Sequence, residues 1–230
     1  MTATAPPTIA IIGGTGAEGS GLAVRWAAAG HRVLIGSRGA ERAAEHAAAL
    51  NAELAEMPHA APISGSDNED AAARADIVVL TVPYSAHEAT LSALREAVQG
   101  KIVVDCTVPL RPPKVVRVQL PVAGSAGQEA QALLGDGVRV VSAFQNVSAH
   151  KLRDLNDAVN CDVLVTGNDP DARAQVIDLV EAAGMKGIHA GRIENAAAAE
   201  ALTSLLIVIN KRYGADGAGI KITNMPDDRA

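Results

Sequence analysis

Residues 8–19 read TIAIIGGTGAEG, in which a short apolar run passes directly into closely spaced glycines. The run Thr8–Ile12 is branched and continuous, which is typical of a strand buried on both faces of a parallel sheet. Gly14, Gly16 and Gly19 follow with GxGxxG spacing, and a helix is predicted immediately after them. Between a strand and a helix, this spacing indicates a dinucleotide-binding turn.

Each glycine of the motif has an expected role. Gly14 should permit the tight turn, Gly16 should let the backbone approach a pyrophosphate, and Gly19 should let the helix pack closely on the sheet. The helix predicted over residues 18–29, closed by Gly30, offers free N–H groups to phosphates at its N-terminus. The alternative is a glycine turn without a ligand, which the strand and helix context disfavours.

The end of the second predicted strand discriminates between dinucleotides. A site for NAD places an acidic residue there to bind the ribose hydroxyls, whereas this chain has Gly36-Ser37-Arg38. Ser37 can donate a hydrogen bond to a 2′-phosphate, Arg38 can pair with it, and Arg42 lies one helical turn further on. The pattern predicts NADP; the alternative is a pair of arginines exposed at the start of a solvated helix.

Beyond the motif, buried strands alternate with helices, which predicts an α/β fold of Rossmann type, a doubly wound parallel sheet. A proline-rich loop is expected over residues 109–125. Strands are predicted at residues 32–35, 62–64 (weakly), 76–82, 101–105 and 138–143, and helices at 41–56, 85–98 and 128–134.

A smaller C-terminal α/β region is expected to follow. We predict an NADP-binding domain over residues 1–145 and a smaller domain over residues 146–230 that closes the cleft and contributes an oligomer interface. The second domain should contain strands at residues 162–166 and 186–190 and a helix at 169–183. It should end in a long helix over 194–212, whose Ala, Leu and Ile content favours an interface.

Charge and cysteine content restrict the partners. The net charge is −6 and the pI about 5.5, which argues against nucleic acid or an anionic membrane as the partner. Cys106 and Cys161 do not form a CxxC pair and are predicted to be buried thiols in a reducing compartment.

The opening MTATAPP lacks the features of a signal peptide, and no membrane span is predicted, so a cytoplasmic location is expected.

The chain contains one Trp, one Phe and two Tyr, so each aromatic position is informative. Tyr84 and Phe144 fall at carboxyl ends of predicted strands, where ligands bind in such sheets, and Tyr213 follows the last predicted helix. They are either stacking surfaces in a cleft or ordinary packing residues.

No metal-binding cluster or nucleophile motif is recognisable in the sequence. His87 and His150 lie near the predicted strand ends and are candidate site residues. The absence of an evident acid–base pair favours a reaction that needs none, such as hydride transfer between two bound cofactors.

Several segments together resemble one enzyme family. The stretches IAIIGGTGAEGSGLAVRWAAAGHRVLIGSR, NEDAAARADIVVLTVPY, KIVVDCTVPL, VRVVSAFQNVSAHKL and GAGIKI occur in the order found in the NADPH:8-hydroxy-5-deazaflavin oxidoreductases. The resemblance implies direct hydride exchange between NADP(H) and the deazaflavin coenzyme F420, with no dedicated acid–base residue. It also implies a homodimer or a larger homo-oligomer.

The resemblance further implies cofactor contacts. The dinucleotide would lie on Thr15, Gly16, Ala17 and Glu18, and its 2′-phosphate on Ser37, Arg38 and Arg42. Tyr84 matches a Trp near the nicotinamide, and Val108 and Ala149 match further contacts. Gln145 stands where archaeal members have His, and the loop over residues 111–127 is the least similar part. Because the deazaflavin tail is anionic, Lys211, Arg212 and Lys221 are noted as a basic cluster. The alternatives are an NADPH-dependent reductase of another small substrate and a non-catalytic NADP sensor.

Overall fold

A computed structural model describes residues 6–156 and 158–226, so most of the MTATAPP opening lies outside the described residues. Eight strands and eight helices alternate along most of the chain. The strands are β1 (Ile9–Ile12), β2 (Val33–Ser37), β3 (Ile63–Asp67), β4 (Ile77–Leu80), β5 (Ile102–Asp105), β6 (Arg139–Ser142), β7 (Asp162–Gly167) and β8 (Lys186–His189). The helices are α1 (Ala17–Ala28), α2 (Ala40–Glu53), α3 (Asn68–Arg74), α4 (Tyr84–Leu94), α5 (Ala126–Leu134), α6 (Ala149–Leu152), α7 (Pro170–Ala182) and α8 (Ala196–Tyr213).

The strands form one eight-stranded sheet in the order β3-β2-β1-β4-β5-β6-β7-β8. Strands β1 to β6 pair in parallel, with Ile11 in register with both Ile35 and Val79. The chain runs outward from β1 to β3 and then returns to place β4 beside β1, so the strand order reverses at β1 and β4. The predicted doubly wound α/β fold is confirmed.

One pairing departs from the expected parallel pattern. Strand β7 is antiparallel to β6, through Val141 with Gly167 and Ser142 with Thr166, and β8 is then parallel to β7. The boundary predicted at residues 145/146 falls just after β6, where the strand direction changes. The C-terminal strands therefore extend the same sheet.

Two hydrophobic layers cover the two faces of the sheet, and both are built mainly from Ala, Val, Leu and Ile. The indole of Trp26 is fully buried and donates its Nε1–H to the carbonyl of Leu179 at 2.8 Å. Its ring meets that of Phe144 edge-on, with centroids 5.9 Å apart. Half of the aromatic residues of the chain therefore meet in one layer, between α1 and the end of β6.

Arg25 joins helix α1 to the C-terminal region. Its guanidinium donates to the carbonyls of Leu152 (2.8 Å), Ala183 (3.1 Å), Lys151 (3.1 Å) and Asp154 (2.7 Å), although the side chain is buried. A buried cation must be compensated by such bonds. These contacts fix residues 151–154 against the nucleotide-binding half of the sheet.

Two elements differ from those predicted. Asn68–Arg74 forms a helix, α3, that is absent from the predicted elements; Asp67 caps it, accepting from the amide of Asp70 at 2.9 Å. The helix predicted over residues 85–98 is α4, which begins one residue earlier, at Tyr84, and ends at Leu94; Pro83 occupies its cap position without a side-chain bond.

Among the described residues, one helix, Ile193–Tyr213, is long and apolar enough to cross a membrane by length and composition, with a mean hydropathy of 1.3. The sequence-based prediction had found no such run. Part of this helix packs within the protein. Glu200 is buried, and its carboxylate accepts hydrogen bonds from the amides of Ala126 (2.7 Å) and Gly127 (3.0 Å). We take α8 as a helix of the folded core whose outer face is exposed.

Candidate functional site

The glycine turn between β1 and α1 is tighter than the motif alone predicts. Gly13, not Gly14, has the left-handed backbone of the turn, with φ of +77°. At Gly14 a Cβ would lie 2.7 Å from the carbonyl oxygen of Ile11, and at Gly19 it would lie 2.7 Å from the Cα of Gly14. Close packing therefore excludes a side chain at both Gly14 and Gly19. This role was predicted for Gly19, whereas Gly14 was expected to permit the tight turn.

Gly16 is less tightly enclosed than Gly14 and Gly19. A Cβ there would meet only the carbonyl of Gly13, at 3.3 Å. Gly16 is also the N-cap of α1, and no side chain caps that helix end. The free N–H groups of the first turn are therefore available to an anion, as a dinucleotide pyrophosphate requires.

A cleft of about 920 Å³ runs along the carboxyl ends of the parallel strands. Gly14 lies buried behind this surface, and Ala149 is not among the cleft residues but begins α6. The structure brings together nine of the residues singled out from the sequence, namely Thr15, Gly16, Ala17, Glu18, Ser37, Arg38, Arg42, Tyr84 and Val108.

Ser37, Arg38 and Arg42 form one end of the cleft. Ser37 is buried at the end of β2, whereas both arginines are exposed. Asp67 is the neighbour of Ser37 in the sheet register, but its carboxylate caps α3 and does not line the cleft. This end therefore presents cations and a hydroxyl, which suits a phosphate.

Asn68 also lines the cleft, and sequence reasoning missed it. Its Oδ1 atom is buried and has no hydrogen-bond partner. A Cβ on Gly36 would lie 2.9 Å from that oxygen, so the absence of a side chain at Gly36 allows Asn68 to pack against β2. This contact could not be predicted from local sequence, because it depends on the position of α3.

Glu18 lies half-buried in the first turn of α1, within the cleft. Burial, and to a lesser degree the charge of Asp105, raises the pKa of Glu18 to about 8. The side chain is therefore mostly neutral at pH 7. A neutral carboxyl is compatible with a nearby phosphate, whereas an ionised one would repel it.

The aromatic residues divide between the cleft and the surface. Tyr84 and Phe144 line the cleft, whereas Tyr213 is the last residue of α8, 78% exposed and away from the cleft. Phe144 has a φ of +76°, a region that non-glycine residues rarely occupy, and such strain is concentrated at functional sites. The hydroxyl of Tyr84 donates to Glu129 at 3.0 Å.

Polar atoms without partners line the floor of the cleft. Gln145 donates through Nε2 to the carbonyl of Asp105 (2.7 Å) and to Ser142 Oγ (2.8 Å), while its Oε1 has no partner. Thr107 Oγ1 is also buried and unpartnered. Buried polar atoms are costly without a hydrogen bond, so these two are consistent with a polar ligand in the cleft.

A buried, hydrogen-bonded histidine–aspartate pair supports this floor. His87 Nε2 and Asp105 Oδ2 are 2.7 Å apart, and Asp105 Oδ1 accepts from the amide of Thr107 at 2.9 Å. Burial lowers the pKa of His87, but the hydrogen bond and charge of Asp105 outweigh it, so the pKa is raised overall. The sequence suggested His87 as a possible site residue but gave no sign of its partner.

The described residues contain no group of three or more His, Cys, Asp or Glu side chains that could bind a metal ion. Cys106 and Cys161 are buried free thiols, as predicted. Cys106 lines the cleft, and burial raises the pKa of its thiol well above the ordinary value. A thiol held in its neutral form is a poor nucleophile.

Comparison with known proteins adds independent information on the family. A family model described as NADP oxidoreductase, coenzyme F420-dependent, matches residues 8–109. The F420-dependent NADP reductase of Methanocaldococcus jannaschii is 42% identical over 221 residues, which cover 94% of this chain and 98% of the relative. The reductase of the same name from Methanothermobacter thermautotrophicus is also 42% identical, over 95% of this chain and 96% of its own length.

The fold has a close counterpart among solved structures. A candidate F420-dependent NADP reductase from an Arthrobacter species superimposes with a TM-score of 0.78 at 29% identity. The match covers 95% of this chain and all of the other. The similarity therefore includes the C-terminal strands and α8 as well as the glycine turn.

Proposed function

Since the chain belongs to the family of coenzyme F420-dependent NADP oxidoreductases, we propose that it transfers a hydride between NADP(H) and coenzyme F420. The observation that carries the proposal is the continuous cleft along the strand ends. It has a cationic end at Ser37, Arg38 and Arg42 and a polar floor at Thr107 and Gln145. One cavity of about 920 Å³ can hold the reacting parts of two coenzymes.

The nucleotide half of the cleft fits NADP. Gly16 and the uncapped end of α1 would hold the pyrophosphate, together with Thr15, Ala17 and Glu18. Ser37, Arg38 and Arg42 would hold the 2′-phosphate. Gly14 would not contact the cofactor; it is buried behind the cleft surface and allows the turn to pack closely. We retain Ala149 only as a more distant contact, since it lies outside the cleft.

The other half of the cleft would hold the two reacting rings. Tyr84 and Phe144 contribute aromatic rings and Val108 an aliphatic side chain, and Gln145 Oε1 offers an acceptor at the base. The same space is lined by Val147 and Thr203, which belong to the C-terminal region that was predicted to close the cleft. Thr203 Oγ1 donates to the carbonyl of Gln145 at 2.6 Å, which fixes α8 against the floor.

The bound coenzymes supply the hydride donor and the hydride acceptor. The contribution of the protein is then orientation and exclusion of water, since direct transfer needs the two carbons only about 3–3.5 Å apart. No residue of this chain has to form a covalent intermediate. The high pKa of Cys106 is consistent with this, because the thiol stays neutral.

The proposal is tested by mixing the protein with oxidised F420 and NADPH deuterated at the transferable position of the nicotinamide. We expect rapid loss of the oxidised deazaflavin absorbance and quantitative deuterium in the reduced coenzyme, because direct transfer does not exchange with solvent. Tight NADPH binding without turnover would favour the alternatives of another small substrate or an NADP sensor.

We further propose a cytoplasmic homo-oligomer assembled through α8. Leu205, Val208 and Ile209 are 48%, 43% and 39% exposed and follow helical spacing along one face. An exposed apolar stripe of this kind is typical of a protein interface. Sedimentation of the paired variant Leu205→Glu/Val208→Glu should give a smaller species than the wild type; an unchanged mass would exclude this face.

A further inference from the structure

The segment between β5 and α5, residues 106–125, forms one wall of the cleft; we name it the β5–α5 loop. Leu110, Pro112 and Val115 line the cleft directly. The loop has no helix or strand, in agreement with the sequence-based prediction. Because residues of this loop line the cleft, the loop would lie next to a bound substrate.

The β5–α5 loop is basic in an acidic protein. It carries Arg111, Lys114 and Arg117, and no Asp or Glu occurs between Cys106 and Gln128, although the net charge of the chain is −6. All three basic side chains are exposed. Within the part of the chain that the structure describes, neither Lys114 nor Arg117 forms a salt bridge.

The three cations are held by successive turns. The amide of Lys114 donates to the carbonyl of Arg111 at 3.1 Å, and that of Arg117 to the carbonyl of Lys114 at 3.0 Å. Gln119 Nε2 donates to the carbonyl of Lys114 at 3.2 Å. The three basic residues, which are spaced three positions apart in the sequence, therefore lie on a hydrogen-bonded backbone in the loop that walls the cleft.

The loop lies at the end of the cleft away from the expected 2′-phosphate site. Ser37 ends β2 and the loop follows β5, and these strands are separated by β1 and β4. Three inter-strand spacings place them about 14 Å apart. Arg38 and Arg42 line the cleft at one end, and the loop that walls its other part carries three further exposed cations beside the lining. One phosphate site accounts only for the first set.

Arg111 connects the loop to the aromatic wall. Its Cζ lies 5.5 Å from the centre of the Tyr84 ring. Tyr84 also donates to Glu129, so one carboxylate lies close to this arginine. Lys114 and Arg117 lie further along the loop and are the better probes of an anion site, because their replacement leaves the Tyr84 contacts intact.

We propose that the β5–α5 loop binds anionic groups, phosphate or carboxylate, that the second substrate carries outside its reacting ring. The inference rests on the proposed function and extends it to the part of the coenzyme that does not react. Lys and Arg are the usual partners of phosphate and carboxylate groups. The loop thereby selects a substrate with a charged side chain over the bare ring.

The test compares the KM of two hydride acceptors, complete coenzyme F420 and 8-hydroxy-5-deazariboflavin, whose ribityl chain lacks the anionic groups. For Lys114→Glu/Arg117→Glu we expect the KM for F420 to rise about 10-fold, which corresponds to about 1.4 kcal/mol. The KM values for the truncated acceptor and for NADPH should stay within about twofold, since exposed charges act weakly at a distance.

Arg95→Glu is the matched control. Arg95 is exposed at the carboxyl end of α4, about 16 Å along the helix from Tyr84, and its replacement changes the charge equally. This variant should leave all three KM values unchanged. The wild-type KM for F420 should also rise between about 50 and 300 mM salt, because added salt screens the exposed charges of the loop. This rise should be weaker in the loop variant.

An equal rise of KM for both acceptors, or an unchanged KM for F420, would overturn the role of the loop while leaving the proposed function in place. Failure of the wild-type protein to reduce either acceptor would instead overturn the proposed function. The two failures are therefore distinguishable in one set of measurements.

Discussion

The imidazole of His87 and the carboxylate of Asp105 lie 2.7 Å apart, and both side chains are almost fully buried. Asp105 also accepts the amide of Thr107 through its second oxygen and the side-chain amide of Gln145 through its carbonyl. One buried residue therefore positions two groups that line the cleft. His87 acts through Asp105, so it is a positioning residue.

His87→Leu should destabilise the protein because it leaves the Asp105 carboxylate buried without its partner. Breaking a buried pair costs about 3–5 kcal/mol, and about 3 °C of Tm is lost per kcal/mol in a chain of this size. We therefore expect Tm to fall by about 10 °C at pH 6, measured by circular dichroism.

The double variant His87→Leu/Asp105→Asn should recover part of that loss, since no charge remains buried. The pH dependence has a definite sign. Because the folded-state pKa of His87 is raised, its charged form stabilises the protein below the ordinary value of 6.5, and this stabilisation is lost as pH rises through the folded-state pKa. A Tm difference that grows toward alkaline pH would contradict the assignment.

Glu18→Gln should remove a pH dependence from NADPH binding. The pKa of Glu18 is raised to about 8, so the wild-type carboxyl is mostly neutral at pH 7 and mostly ionised at pH 9.5. Its charge would then repel the phosphates of the cofactor. We expect the wild-type Kd for NADPH to rise about 10-fold over this range, equivalent to about 1.4 kcal/mol.

NADPH fluorescence titration measures these Kd values. The Glu18→Gln variant should show a nearly constant Kd, while Glu96→Gln, at an exposed position beyond α4, should behave as the wild type. Parallel pH profiles for Glu18→Gln and the wild type would show that this carboxyl does not face the phosphates.

The buried carboxyl of Glu200 should make the free energy of unfolding depend on pH. Burial raises its pKa to about 8 in spite of the hydrogen bonds from Gly127 and Ala126, compared with an ordinary value of 4.5. A carboxyl with a raised folded-state pKa stabilises the fold at low pH and loses that contribution as pH rises through about 8. The free energy of unfolding should therefore fall between pH 5 and pH 9, as measured by urea denaturation.

In Glu200→Gln this fall should be shallower, because the side chain no longer titrates. The variant is expected to be less stable than the wild type at pH 5, since an amide cannot accept both backbone hydrogen bonds as the carboxyl does. A pH profile with an unchanged slope would assign the alkaline destabilisation to other groups, of which Glu18 is the first to test.

The parts of the site that could be predicted from the sequence are those that depend on neighbours in the chain. The strand, glycine turn and helix over residues 9–28, and the Ser37-Arg38 end of β2, follow from local spacing. The tight turn was nevertheless assigned to Gly14 and not Gly13, because two adjacent glycines are equivalent in the pattern and only the backbone φ separates them.

The floor of the cleft depends on long-range contacts and could not be predicted. Asp105 meets His87 across 18 residues and Gln145 across 40, and no motif relates such positions. The positive φ of Phe144 is likewise invisible in the sequence, since the strain is maintained by packing against Trp26. The sequence analysis noted no evident acid–base pair because it could recognise only local motifs, and the contact of His87 with Asp105 is not local.

Arg38→Asp should discriminate between the two nicotinamide cofactors. Arg38 is exposed at the cationic end of the cleft beside Ser37 and Arg42, where only NADPH would place a phosphate. Loss of a charge-assisted hydrogen bond costs about 1.5–3 kcal/mol, and the new carboxylate adds repulsion. We expect the Kd for NADPH to rise about 100-fold or more and the Kd for NADH to change less than about threefold.

Arg95→Asp is the matched control, because it changes the net charge equally at an exposed position outside the cleft. It should leave both Kd values unaltered. Arg42→Ala should weaken NADPH binding less than Arg38→Asp, since it removes one contact without introducing repulsion. An equal loss of NADPH and NADH affinity in Arg38→Asp would mean that the arginine contacts a part shared by both cofactors, such as the adenine, and that the 2′-phosphate lies elsewhere.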